Sequence, residues 1–255
     1  MDTHQPNISL TGTITAINEL TSEVFEMFLE VPGMAPTAPG QFVNLSIPGF
    51  FLRRPLAIAR RNGDEISVIV QKVGGGTRAL GELRPGTEIS LLGPLGNGFD
   101  MSKAGERPVL VGGGAGIPPL LYLASALVAA GTTPVVCLGY RNEAAVFSAQ
   151  DFAHLGCDVR ITTEDGSVGE RGYVTAVMPA ASENPTQVYS CGPEGMLRAV
   201  KAHATCPLEL SLEAHMGCGF GACLGCAIPT TRGLERVCVE GPVFDGADVL
   251  LEEVA

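Results

Sequence analysis

Cys218, Cys223, Cys226 and Cys238 lie in the run GCGFGACLGCAIPTTRGLERVCVEGP, a C-x4-C-x2-C spacing followed, after eleven residues, by a fourth cysteine. This is an iron-sulfur ligand pattern. Gly217, Gly219, Gly221 and Gly225 flank or separate the first three cysteines, so the backbone can wrap a compact inorganic cluster and aim amide N–H groups at its sulfurs. Four thiolates suffice for a 2Fe-2S centre. The competing reading is a structural zinc site, but zinc modules usually pair two short C-x2-C knuckles across a longer spacer, and this run does not. His215, three residues before Cys218, is a weaker candidate ligand; His4, His154 and His203 share no spacing with it.

Two further places suit a nucleotide. VGGGAGIPP, from Val111 to Pro119, follows an apolar strand-like run and opens a helix-like one, so Gly112, Gly113, Gly114 and Gly116 would let a dinucleotide pyrophosphate approach a helix N-terminus. It departs from the G-x-G-x-x-G fingerprint, and Gly139, Tyr140 and Arg141 stand where an acidic residue would hold an adenine ribose. A plain tight turn is the competing reading. Upstream, Arg53, Arg54 and Pro55 open a strand that runs through PLAIA into Arg60 and Arg61, and arginine there can pair with phosphate. About twenty residues later, Gly74, Gly75 and Gly76 precede Thr77 at an expected helix start, a second seat for a pyrophosphate. Each alone reads as a solvated strand face or a loop. Together, ahead of a nucleotide-binding sheet, they favour FAD.

These sites need a scaffold, and the patterning supplies one. SLTGTITAI, EVFEMFLEV, QFVNLSI, PLAIARR, EISVIVQKV and TEISLLG alternate between Gly, Pro and Asn turns, the pattern of a small antiparallel barrel. From Arg107 the texture becomes α/β: strands at VLVGG, PVVCLGY, DVRITTE and QVYSCG, and helical stretches at LLYLASALVAAG, EAAVFSAQDFAHL, VTAVMPA and EGMLRAVKAHA. Such alternation predicts a doubly wound, mainly parallel sheet. After Pro207 come a strand-like LELSLEA and the cysteine loops, too little to bury a core without a metal staple. The expected fold class is therefore β barrel plus α/β: an FAD-binding barrel over 1–101, a nucleotide-binding domain over 102–207, and a 2Fe-2S domain over 208–255.

Hydrophobic residues make up 45% of the 255, enough to bury real cores. The N-terminus has no basic start leading into an apolar stretch, which points to a reducing cytoplasm for the eight cysteines. No apolar run is long enough to span a bilayer. A net charge of −11 argues against nucleic-acid binding. Cys137, Cys157 and Cys206 read as small buried hydrophobes, and Glu164, Asp165 and Glu213 as turn or capping groups.

RRPLAIA, GGGTRAL, LLGPLGNGF, VGGGAGIPPL, YSCGPEGML and the cysteine run resemble, in content and order, the motifs of the ferredoxin-NADP reductase superfamily and its iron-sulfur members. SLEAHMGCGFGACLGCAIP and VCVEGPVFDG, with GPLGNGF, resemble more narrowly the electron-transfer subunits of type B dihydroorotate dehydrogenases, and the likeness covers nearly the whole chain. The resemblance implies that the family's R-P-x-S motif for FAD maps to Arg54, Pro55, Leu56 and Ala57, so the serine hydroxyl is missing. It implies further FAD contacts at Val70, Gln71, Lys72, Gly76 and Thr77, and a position for Cys191 where nicotinamide would stack on the flavin. Cys191 reads equally as a buried small side chain. The resemblance also implies a role in pyrimidine (UMP) synthesis: electrons leave dihydroorotate at the FMN of a separate catalytic subunit and cross this chain's 2Fe-2S cluster and FAD to NAD+, in a heterotetramer with two copies of each subunit. The dihydroorotate pocket and catalytic base belong to that partner, so no catalytic residue is expected here. Two alternatives stay open: a reductase subunit of a hydrogenase or transhydrogenase-like complex with the same cofactors, and a zinc-stapled nucleotide-binding module without catalysis. Arg141 leaves NAD and NADP undistinguished by residues.

Overall fold

Period-two alternation builds the first half of the chain. The computed structural model describes residues 9–251, in which β1 (Ser9–Glu19), β2 (Val24–Glu30), β3 (Phe42–Leu45), β4 (Arg54–Asn62), β5 (Glu65–Gln71) and β6 (Glu88–Leu95) close a barrel in the order β1-β2-β5-β4-β3-β6. All six barrel strands read from the alternation are present. Inward-facing Ile14, Phe25, Met27, Leu29, Val43, Leu45, Ile58, Val68 and Leu91 fill its interior. The short helix α1 (Gly75–Gly81) adds Leu80 to the same core.

The second half is a seven-stranded sheet in the order β10-β9-β8-β7-β11-β12-β15. Its strands are β7 (Pro108–Gly113), β8 (Val135–Tyr140), β9 (Asp158–Thr163), β10 (Glu170–Arg171), β11 (Gln187–Cys191), β12 (Leu208–Ser211) and β15 (Val243–Asp245). All pairings are parallel except β12 with β15. The sheet therefore continues across position 208 into the C-terminal segment. Its helices are α2 (Ile117–Ala129), α3 (Ala149–His154) and α4 (Glu194–His203). The helical stretch expected over 143–155 is divided: a 3-10 turn at Glu143–Ala145 is separated from α3 by Ser148, whose φ of 58° breaks the helical path. VTAVMPA shortens to a 3-10 turn at Val174–Val177. A hairpin of β13 (Ala227–Thr230) and β14 (Gly233–Arg236) forms a third, two-stranded sheet.

The layers are joined by specific contacts. α2 packs against β4 of the barrel as well as β7, and the Tyr122 hydroxyl lies 3.0 Å from Thr37 Oγ1. Phe99 meets Tyr189 edge to face at 5.5 Å, and the Tyr189 hydroxyl donates to the Asp100 carbonyl. Asn97, from GPLGNGF, clasps the tail. Its amide nitrogen donates to the carbonyls of Glu240 and Val243, its amide oxygen accepts from the Val243 N–H, and its backbone N–H donates to Gly241.

Candidate functional site

The cysteine spacing becomes geometry through the β13–β14 hairpin. Cys226 immediately precedes β13 and Cys238 lies two residues beyond β14, so the eleven-residue spacer folds back and the Val237 N–H donates to the Cys226 carbonyl. Cys226 lies close enough to Cys238 to oppose ionisation of its thiol. On the preceding loop, Cys218 Sγ and Cys223 Sγ lie 3.4 Å apart. The four sulfurs thus form two pairs, the arrangement two bridged irons require, with two thiolates completing each. Among the described residues no group of three or more cysteine, histidine or carboxylate side chains is gathered closely enough to hold a metal ion as it stands. His215 is exposed on the approach to Cys218. The donor set fits a 2Fe-2S cluster.

The glycines do what their spacing suggests. Gly219 (φ +76°) and Gly221 (φ +88°) adopt left-handed backbone that turns the loop around the sulfurs. Burial opposes ionisation of Cys218, but the N–H groups of Phe220, Cys223 and Ala222 and the Cys223 thiol outweigh it and bring Cys218 down to about 7. Burial, with Cys226 beside it, pushes Cys238 up to about 12, although the Gly221 N–H also reaches it. Arg236 braces the loop from outside. Its Nη1 donates to the Gly221 carbonyl at 2.8 Å, while Nε and Nη2 grip the Glu240 carboxylate at 3.1 and 2.6 Å. Sequence reasoning gave Arg236 and Glu240 no role; an arginine four residues before an acid in a short hairpin reads as a surface pair.

On the barrel, the four arginines around RRPLAIARR divide. Arg53 donates to the carbonyls of Asn44 and Ser90 and to Ser90 Oγ. Arg60 bridges Glu26 and Asp151, and Arg61 is held by the carbonyls of Gly63 and Met34. Arg54 is different. One side of its guanidinium donates to the Leu52 carbonyl and lies over the Phe50 ring, 5.5 Å from its centroid. The other faces α1 so closely that a Cβ on Gly76 would come within 2.6 Å of Nη2. Arg54, at the start of β4, and Gly76, in the first turn of α1, are twenty-two positions apart in sequence and are brought together as an anion seat needs. Thr77 Oγ1 accepts from the Gly74 N–H and so fixes the turn. Strand pairing sets Pro55 opposite Asn44 and Ala57 opposite Phe42, on the outer face of the barrel, whereas Leu56 turns toward the core. Val70 is buried in the barrel core and Gln71 is exposed. Lys72 is committed to Glu19 at 2.9 Å, and its N–H donates to the Glu23 carbonyl.

The glycine-rich turn after β7 also draws distant residues together. Gly112 pairs with Cys191, and Gly116 packs so tightly on the YSCGP tip that a Cβ would stand 2.2 Å from the Cys191 carbonyl. The glycine turn contacts β5, the barrel strand that ends in Val70 and Gln71. Pro118 and Pro119 occupy the first turn of α2, so the helix lacks two of the amide donors expected there, and those remaining belong to the turn itself. Burial, helped by the charge of Glu213, holds the Cys191 thiol protonated. That suits packing or positioning and not nucleophilic attack.

Residues 213–250 match the model of the iron-sulfur cluster binding domain of dihydroorotate dehydrogenase B, and residues 110–202 match the oxidoreductase NAD-binding domain. A dihydroorotate dehydrogenase B (NAD(+)) electron transfer subunit from Geobacillus sp. (strain WCH70) is 40% identical over 253 residues, covering 94% of this chain and 97% of its own. The chain belongs to the dihydroorotate dehydrogenase B electron transfer subunit family. A second member, from Streptococcus thermophilus, is 38% identical over 255 residues, with 94% of this chain and 97% of that one covered. Among solved structures, the NADH-dependent reduced ferredoxin-NADP oxidoreductase studied for flavin-based electron bifurcation superposes with a TM-score of 0.85 at 28% identity, covering 96% of this chain and 89% of the other. The ferredoxin reductase of carbazole 1,9a-dioxygenase shares the fold at a TM-score of 0.70 and 22% identity, covering 78% of this chain and 66% of its own. Within the family's frame, FAD, NAD and an iron-sulfur cluster are the cofactors of an oxidoreductase subunit. No helix among the described residues is long and apolar enough to cross a membrane.

Proposed function

We propose that this chain carries electrons from dihydroorotate oxidation to NAD+ in pyrimidine synthesis, as the electron-transfer subunit of a type B dihydroorotate dehydrogenase. Its partner would be an FMN-containing catalytic subunit that holds the dihydroorotate pocket and base, two copies of each forming a cytoplasmic heterotetramer. The observation that carries this reading is the cysteine loop, with Cys218 and Cys223 paired on it, seated through Asn44 against the barrel face beside the Arg54–Ala57 strand. When bound, the cluster supplies one-electron transfer, FAD converts between single electrons and pairs, and NAD+ accepts a hydride.

The chain's own residues bind and orient these groups. Cys218 and Cys223 would hold one iron, Cys226 and Cys238 the other, with the loop amides screening the sulfur charge. Arg54 and the Gly75–Thr77 turn would hold the FAD pyrophosphate, and Pro55 and Ala57 would line the ring. Gly112 to Gly116, closed against Cys191, would position the nicotinamide nucleotide. The higher identity to the dihydroorotate dehydrogenase subunits, 40% against 28% for the bifurcating oxidoreductase, favours this reading over the alternative partner.

The test is anaerobic purification of the intact complex from native cells, with identification of the co-purifying chain and assay of dihydroorotate-dependent NAD+ reduction. Recovery of an FMN dehydrogenase with that activity is expected, and recovery of a hydrogenase in its place would overturn the assignment. In the same complex, Cys226→Ser should remove the cluster and abolish dihydroorotate-to-NAD+ turnover while NADH still bleaches the FAD.

A further inference from the structure

Asn44 sits in an unusual place for a polar side chain. On β3, Val43 and Leu45 point into the barrel, so Phe42 and Asn44 face outward, yet Asn44 is only 1% exposed. What covers it is the cysteine loop. Asn44 Nδ2 donates to the carbonyl of Cys218 at 3.1 Å. Gly219 approaches so closely that a Cβ would stand 2.5 Å from Nδ2, and its φ of +76° further favours glycine. The Asn44 backbone is held in turn by Arg53, which donates to its carbonyl at 3.3 Å. Oδ1 is buried with no hydrogen-bond partner among the described residues, and such a group calls for an explanation outside the chain's own packing.

The neighbour across the strand pair is Pro55, the second residue of the proposed flavin motif. Directly opposed residues of antiparallel strands have Cβ atoms about 4.5–5.5 Å apart. One amide therefore stands between a cluster ligand and the strand that would line the flavin ring. We infer that Asn44 is a positioning residue that sets the distance and orientation of the cluster loop relative to the flavin, and so governs electron passage between the two. This rests on the cofactor assignment proposed above. Nδ2 anchors the loop, and Oδ1 is the acceptor left over at the junction for a donor that a bound cofactor brings.

The experiment uses the anaerobically purified complex with Asn44→Ala, Gly219→Ala and the double variant. Flavin and iron content are measured first, then the bleaching of flavin by NADH and the reduction of the cluster are followed separately by stopped flow, with the electron paramagnetic resonance spectrum of the reduced cluster as a further signature. Asn44→Ala should retain both cofactors, alter the cluster spectrum, and slow cluster reduction about tenfold or more relative to flavin reduction, the scale on which small misplacement acts. Gly219→Ala should slow the same step by pushing the loop off Asn44. The double variant should lose less than the sum, because truncating Asn44 removes the clash. Cluster reduction at the parental rate in a fully loaded Asn44→Ala complex would overturn the inference, as would loss of cofactors from both single variants, since a positioning residue leaves occupancy intact. A parental complex without flavin or iron would instead sink the cofactor reading itself.

Discussion

The barrel buries Ile14, Phe25, Met27, Leu29, Val68 and Leu91 completely, whereas residues 212–226 contain no helix or strand and leave Phe220 and Leu224 exposed by 40% and 73%. Both regions must hold a flat or compact charged group still. The barrel does so by removing apolar surface from water before any ligand arrives. The cysteine loop has no comparable core of its own; it is held by the Arg236–Glu240 brace and by contacts borrowed from Asn44 and Asn97, and four ligand bonds would complete its fixation when a cluster is bound. One region is ordered by its own core, and the other would draw much of its order from a bound metal.

Removing the metal is the strongest way to break that contrast. Chelation of iron from the anaerobic protein should raise amide hydrogen exchange sharply across 213–226 and the β13–β14 hairpin, while the barrel strands stay protected. Equal loosening of both regions would show that the barrel depends on the cluster too. A smaller effect is expected at the flavin seat, where the scaffold survives and only a ligand contact goes. Arg54→Ala should weaken FAD binding by about ten- to a hundredfold, from the roughly 1.5–3 kcal/mol of a hydrogen bond to a charged group, with iron content unchanged. Fluorescence titration of the apoprotein with FAD measures it. The mildest perturbation is pH. In the iron-free loop the Cys218 thiol, held near 7, passes from mostly protonated at pH 6 to mostly thiolate at pH 8, so the initial rate of cluster reconstitution should rise about tenfold over that interval. A flat profile would mean that Cys218 is not the ligand that engages first.

What could be read from sequence follows the same division. The barrel was legible because alternating segments between Gly and Pro turns have few other solutions, and the iron-sulfur domain because thiolate spacing is itself a chemical pattern. Asn44 was not legible. In QFVNLSI the alternation places it outside the barrel, and an outward asparagine reads as solvent-facing until a loop 174 residues further on covers it. β12 and β15 escaped assignment to the parallel sheet for a related reason: they are four and three residues long, and only their long-range pairing defines them. The division of the 143–155 stretch turns on one left-handed serine, Ser148, a conformation for which serine carries no signal. Patterning alone did not separate Arg54 from Arg53, Arg60 and Arg61; the family resemblance did, and in the structure the other three are satisfied by the chain itself.

The clasp at Asn97 gives the molecule a mechanical character. The cysteine segment is tied to the barrel at Asn44 near its start and to Asn97 at Glu240 to Val243 near its finish, so it is strung between two posts and not hinged at one. A segment anchored at both ends resists swinging as a lid. Motion that admits or releases a nucleotide has to come from elsewhere, and the span the electrons cross can remain constant while it does.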